Sequence, residues 1–255
     1  MKRTRTMLWM GVLMLALVGL ASCGKRVMPE TAAPVAEAEI IEHTVGAGES
    51  LERIADLYYG DPGRAAAIAA DNGLSDPSRL AEGSVLRLRF APQEYRRARQ
   101  RAAAFEPYSR GVEAMGRGDL VEAERRFRLA LRTVPDLADA RYNLALVLLK
   151  RGRAEEATDL LRPLVAERPA DADAGFALGN ALFQQTRYLE AAQVFGDVLA
   201  TAPDHRRAAF GHARALQEAG ARQEARDAWR RYLDLDADSN WAAEARRHLR
   251  ELDGG

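Results

Sequence analysis

The sequence has one cysteine, four histidines and no excess of charge of either sign. With Cys23 alone, no intramolecular disulfide can form, so the folded part must rely on its core. The histidines, His43, His205, His212 and His248, include no pair at metal-binding spacing, and no zinc site is expected. A G-x-S-x-G elbow, a Walker loop and a cysteine–histidine pairing are all missing. The carboxylates recur on solvent faces of helical patterns, so no catalytic group and no cofactor is expected. Basic and acidic residues number 37 each, and removing Lys2, Arg3 and Arg5 with the first 23 residues leaves 34 bases against 37 acids. Such mild acidity gives no reason to expect nucleic acid as a partner.

Long apolar runs are also scarce. The main one, Met7 to Gly19, follows the three N-terminal bases and reads as the h-region of an export signal spanning 1–23. It closes on Leu20-Ala21-Ser22-Cys23, which resembles the lipobox of bacterial lipoproteins. The resemblance implies cleavage before Cys23, lipid on its sulfur and amine, and attachment to a membrane through those chains. Two or more acyl chains anchor stably where one is marginal. An uncleaved membrane helix is the alternative reading of residues 7–24. Gly24, where aspartate would mark inner-membrane retention in enteric bacteria, points to the outer membrane facing the periplasm. Residues 24–41 carry Pro29 and Pro34 without a sustained period and read as a flexible linker. It would reach roughly 60 Å at about 3.3 Å per residue.

Residues 42–90 have a different texture. His43-Thr44-Val45 is strand-like, and Gly46-Ala47-Gly48 must turn. Ser50 is an N-cap for a helix with Leu51, Ile54, Ala55 and Tyr58 on one face. Gly60-Asp61-Pro62-Gly63 breaks it, a second helix runs from Arg64 to Asn72, and Val85-Leu86-Arg87-Leu88 is a closing strand. This βααβ order, with H-T-V-G-A-G-E-S-L and A-A-D-N-G-L-S-D-P, resembles a LysM domain over all of 42–90. The resemblance implies binding of N-acetylglucosamine-containing glycan, in bacteria usually peptidoglycan, in a groove between two loops. Gly48, Glu49, Ser50 and Leu51 would line one side, and Asn72, Leu74, Ser75, Asp76 and Pro77 the other. Leu51 and Leu74 would offer apolar contact to the sugar. Residues 91–103 read as a basic helical connector with a solvated face.

From Ala104 onward the chain repeats itself. Steps of 34 join Pro135, Pro169 and Pro203, then Ala123, Ala157, Ala191 and Ala225, then Phe127, Leu161, Phe195 and Trp229. Gly111, Ala145, Gly179 and Ala213 form a small-residue series, and Gly118, Gly152, Thr186 and Gly220 a turn series. This resembles the period and small/large alternation of tetratricopeptide repeats. The expected units are 104–137, 138–171, 172–205 and 206–239, with 240–255 as capping helix and tail. The fold class expected is mainly α: a small βααβ domain followed by an α-solenoid of about four repeats.

Tyr108, Tyr142, Phe176 and Phe210 also recur at 34, on the first helix of each repeat. In this family the first helices line a concave groove that usually holds a partner peptide or protein. With Val112, Met115, Leu146, Leu149, Asn143, Asn180 and Phe183 these rings could grip an extended apolar segment. The other reading is that they are core between neighbouring helices. Lys150 is the array's single lysine, so a lysine clamp on a chaperone tail is not expected. Together the resemblances imply a non-enzymatic envelope adaptor that holds peptidoglycan and recruits an unidentified envelope protein. An assembly factor for an outer-membrane or pilus secretin machine, with the LysM region only as localiser, is one alternative. A wall-remodelling enzyme is the other, disfavoured by the missing catalytic groups.

Overall fold

The computed structural model describes residues 38–254 apart from Ala47, Pro77 and Arg79. The expected export signal, Cys23, most of the linker, and Pro77 lie outside the described residues.

Strand β1 (Glu39–Thr44) pairs antiparallel with β2 (Val85–Phe90), with Ile41 opposite Leu88 and Thr44 opposite Val85. β1 starts three residues earlier than expected, inside the stretch read as linker. Ile40 and Ile41 are β-branched and suit a strand, but their ladder partners, Arg89 and Leu88, lie far along the chain. Helix α1 (Leu51–Tyr59) starts at Ser50, whose hydroxyl accepts from Arg53 N–H, and stops at left-handed Gly60. A 3₁₀ turn, Pro62–Arg64, capped by Asp61, leads into the short α2 (Ala65–Asp71). Leu51, Ile54, Ile68, Leu86, Leu88 and Phe90 are buried together between the helices and the two-stranded ladder.

Helix α3 (Pro92–Ala102) differs from the solvated connector expected. It packs on α1 and both strands, buries Ala98, and belongs to the small domain as much as to the link. Four antiparallel pairs follow: α4 (Phe105–Gly116) with α5 (Leu120–Thr133), α6 (Ala138–Lys150) with α7 (Ala154–Glu167), α8 (Ala172–Gln184) with α9 (Tyr188–Thr201), and α10 (Arg206–Glu218) with α11 (Arg222–Leu235). The expected fold class is borne out. Each pair contacts the next, so one continuous core runs along the array. The described residues pack as one compact unit.

The small and large series interlock. Phe127, Leu161, Phe195 and Trp229 are fully buried between helices. A Cβ at Gly179 would stand 2.4 Å from the Phe195 ring, and one at Gly111 2.6 Å from Phe127. Glycine at those first-helix positions is therefore what lets a phenylalanine fill the crossing. Helix α12 (Asn240–Asp253) closes the end. Its His248 ring stacks on Trp229 at 5.0 Å, while the Gln217 amide accepts from Trp229 Nε1 at 2.8 Å and donates to His248 Nδ1 at 3.0 Å.

The turn between paired helices requires positive φ: 79° at Gly118, 74° at Gly152 and 76° at Gly220. The third repeat has Thr186 there at φ 60°. A left-handed β-branched residue costs about 1–2 kcal/mol. After the extra entropy that glycine gives the unfolded chain, Thr186→Gly should still stabilise by about 1 kcal/mol. Thermal or denaturant unfolding would check this, and an unchanged or lowered midpoint would contradict it.

Candidate functional site

Both loops of the small domain leave the same end of the ladder, where Thr44 faces Val85. Their roots are joined by Val45 N–H to Ser84 O at 2.8 Å and Gly83 N–H to Val45 O at 2.8 Å. Glu49 pins the first loop by accepting Gly46 N–H at 2.7 Å and the His43 Nε2 proton at 2.8 Å. On the other side of the ring, His43 Nδ1 shares a hydrogen bond of 3.0 Å with the Tyr58 hydroxyl. Burial and Glu49 push that hydroxyl up to about 12, so it stays a donor. Burial pushes the Glu49 carboxyl up, but the bonds from His43 and Gly46, with nearby Arg53, hold it below its ordinary value.

Asn72 staples the other loop. Its amide donates to Ile68 O and Arg87 O and accepts Arg87 N–H at 2.7 Å, binding the end of α2 to β2. Asp76 accepts from the Ser78 N–H and hydroxyl. Of the positions expected to face glycan, Gly48, Ser75 and Asp76 are exposed, and Glu49, Ser50, Asn72 and Leu74 are half-buried. Leu51 is only 1% exposed. The expectation that it touches sugar is corrected: it shares the inward face of α1 with Ile54, Ala55 and Tyr58, which spacing along the helix dictates. Glu49 and Asn72 have side chains already spent on holding their loops.

The aromatic column is divided by the small domain itself. Arg53 of α1 donates to Asp139 at 2.7 Å and to the Tyr108 hydroxyl, which also accepts from Asn143. Burial and Asp139 push Tyr108 up to about 12, against the pull of Arg53. One turn on, Asp56 meets Arg168 at 3.2 Å; burial pushes its carboxyl up despite that partner. Arg101 of α3 donates to Leu57 O and Asp56 O, and grips both carboxylate oxygens of Asp136 at 2.9 and 3.0 Å. Thus Tyr108 and Asn143, expected in a partner groove, are engaged within the chain. Beside this junction lies a cleft of about 480 Å³, with Gly46 and Glu49 on one wall and Ser109, Val112 and Glu113 of α4 on the other.

The rest of the column is open. Tyr142 borders a recess of about 170 Å³ with Asp171 and Asp173. Phe176, Asn180, Phe183 and Phe210 come together around a cavity of about 420 Å³, joined by Phe195, Tyr232 and Trp241. Phe176 and Phe210 also pack on Phe195 and Trp229, at 5.8 and 4.9 Å between ring centres, so these rings are core on one side and lining on the other. Sequence reading missed Trp241, contributed by the capping helix, and Arg206, Arg207 and Arg214 at the rim. The spacing of Arg207, Phe210 and Arg214 on one face of α10 was the available signal.

Family models agree with this geometry. Residues 43–89 match the LysM domain, and 114–179 and 176–240 each match tetratricopeptide repeats. The chain carries a LysM domain followed by tetratricopeptide repeats. Both are non-catalytic interaction modules. Among solved structures, residues 41 to the end of MamA from Desulfovibrio magneticus RS-1 are 21% identical, with a TM-score of 0.55 over 59% of this chain and 84% of that one. YrrB, described as a TPR protein with an unusual peptide-binding site, is 25% identical, with a TM-score of 0.54 over 61% and 81%. The MamA likeness speaks to the fold alone. No curated protein matches the chain.

Two measurements check this junction and loop. Arg101→Ala strips two carbonyls and a carboxylate of a largely buried charged donor, and should cost about 2–3 kcal/mol. Arg110→Ala, which removes an exposed pair with Glu106, should cost under about 0.5 kcal/mol; equal losses in unfolding experiments would refute the ranking. For Glu49 the folded value lies below the ordinary 4.5, so its contribution is complete above that pH and fades as pH falls through the folded value. Glu49→Gln should therefore cost about 1 kcal/mol at neutral pH, and the gap to the parent should close in acid. A gap that stays constant with pH would count against it.

Proposed function

We propose that the chain is a non-enzymatic adaptor of the bacterial cell envelope. Its LysM domain holds peptidoglycan through N-acetylglucosamine-containing strands, and its repeats recruit a protein. Lipid on Cys23 attaches it to the outer membrane on the periplasmic side. The observation that carries this reading is the physical union of the two modules. The LysM loops keep Gly48, Ser75 and Asp76 at the surface, while α1 is locked to the repeats through Arg53, Asp56 and Arg101. One attached body thus presents two separate sites.

The glycan site is shallow and made of backbone and small polar groups, which suits the hydroxyls and acetamides of a sugar. Peptide recruitment draws support from the open aromatic cavity and from YrrB, whose likeness to this chain extends to a protein described as peptide-binding. Anchoring draws support from the lipobox-like Leu20-Ala21-Ser22-Cys23.

Sedimentation with purified peptidoglycan sacculi tests the glycan arm. The chain should pellet with sacculi, and Ser75→Trp, which puts a bulky ring on an exposed loop position, should lower the pelleted fraction several-fold. Trp241→Ala, on the capping helix far from the LysM loops in sequence, should pellet like the parent. Equal pelleting of Ser75→Trp and the parent would remove the glycan role from this groove.

A further inference from the structure

The open cavity between α8, α10 and α12 has a charge as well as a shape. Its floor is aromatic: Phe176, Phe183 and Phe210, with Trp241 set edge-on to Phe210 at 4.9 Å. Trp241 is 61% exposed, a large apolar area to leave in water at the cap of a solenoid. The rim is basic. Arg207 and Arg214 lie over the Phe176 and Phe183 rings at 5.0 and 5.1 Å. Arg207 is paired with Asp173 at 3.0 Å, whereas Arg206 and Arg214 form no direct ion-pair contact among the described residues, Arg206 sharing only a through-space attraction with Asp236. The one carboxylate lining the cavity, Asp236, is occupied by the Tyr232 and Ser239 hydroxyls. Half-buried Asn180 makes no side-chain hydrogen bond among the described residues, leaving a donor and an acceptor free for a peptide unit.

We propose that this cavity takes an extended segment of a partner protein in which a large apolar side chain stands between two acidic residues. This deepens, and rests on, the proposed recruiting role of the repeats. Arg206 and Arg214 are eight residues apart on one helix, about 12 Å at 1.5 Å per residue. A single carboxylate does not span that distance, whereas acids about four positions apart in an extended chain do. The apolar side chain fills the aromatic floor beside the Arg207 and Arg214 guanidinium groups, which sit over ring faces and keep their charge at the rim. Its backbone meets the Asn180 amide.

The test uses the full chain and a short fluorescein-labelled peptide with phenylalanine midway between two glutamates about four positions apart. By anisotropy, replacing both glutamates with glutamine should weaken binding about ten-fold at low salt, and less at high salt. Arg206→Ala and Arg214→Ala should each weaken the glutamate peptide and leave the glutamine peptide unchanged. The doubly reversed Arg206→Glu, Arg214→Glu chain should prefer lysines in place of the glutamates. Arg125→Ala, on α5, should change nothing. Equal binding of glutamate and glutamine peptides overturns the acid preference; if both still depend on Trp241, recruitment by the cavity stands. Failure of every peptide at millimolar concentration overturns the proposal. If that failure comes with a dimer that Trp241→Ala dissolves, the cavity belongs to a second copy and the recruiting role falls with it.

Discussion

The guanidinium of Arg101 is the point on which the arrangement of the two modules depends. A helix ends with carbonyls that lack intrahelical partners and carry partial negative charge. α1 ends facing α3, and Arg101 supplies a donor to Leu57 O there and a second donor to Asp56 O, which also accepts from Gly60 N–H. Its remaining edge grips Asp136 in the turn between α5 and α6. One side chain thereby finishes a LysM helix and fastens it to the first repeat boundary. Because Nε and one terminal nitrogen take the two carbonyls while the other terminal nitrogen is shared by both Asp136 oxygens, the contact fixes orientation as well as distance.

From that fixed orientation the rest follows. α1 lies with Arg53 and Asp56 against α6 and the end of α7, so the first stretch of the aromatic column is closed by the chain's own LysM domain. What stays accessible is the other end, where the capping helix adds Trp241 to Phe176, Phe183 and Phe210. A helical array needs a terminal element to cover its last hydrophobic face. Here that element also builds a wall of the open cavity, so closing the core and shaping the site are one structural event.

Much of this was legible in the residues. The 34-residue period located every helix pair, because each series occupies a single structural position. Gly179 under Phe195 shows why the small series alternates with glycine. The LysM helices were legible from Ser50, Gly60 and the inward face of α1. That same face keeps Leu51 out of the sugar site, because helix periodicity turns it inward with Ile54, Ala55 and Tyr58. The early start of β1 at Glu39 was hidden, since short strands take their identity from a partner and Phe90 is remote in sequence. The role of Arg101 was hidden for a related reason. Its partners are two backbone carbonyls and a turn aspartate, and no side-chain pattern announces a carbonyl. Trp241 could be read as a capping residue but not as a wall of the cavity, because that depends on how α12 lies across α10.

The position of β1 also bears on reach in the proposed function. With the strand beginning at Glu39 rather than after Ile41, the chain between Cys23 and the folded unit spans about 50 Å at most, at roughly 3.3 Å per residue. A shorter tether concentrates the glycan loops in a thinner layer above the membrane, provided it still spans the gap. That matters because few side chains in the loops are free: Glu49 and Asn72 hold the backbone, and Leu51 is core. A site built from so little would bind weakly alone, and the proposed lipid on Cys23 would raise its effective concentration without adding a contact. In the proposed function, the LysM–repeat junction would carry the arginine-rimmed cavity to the same wall-bound position, so a protein recruited there would be held at the peptidoglycan without touching it.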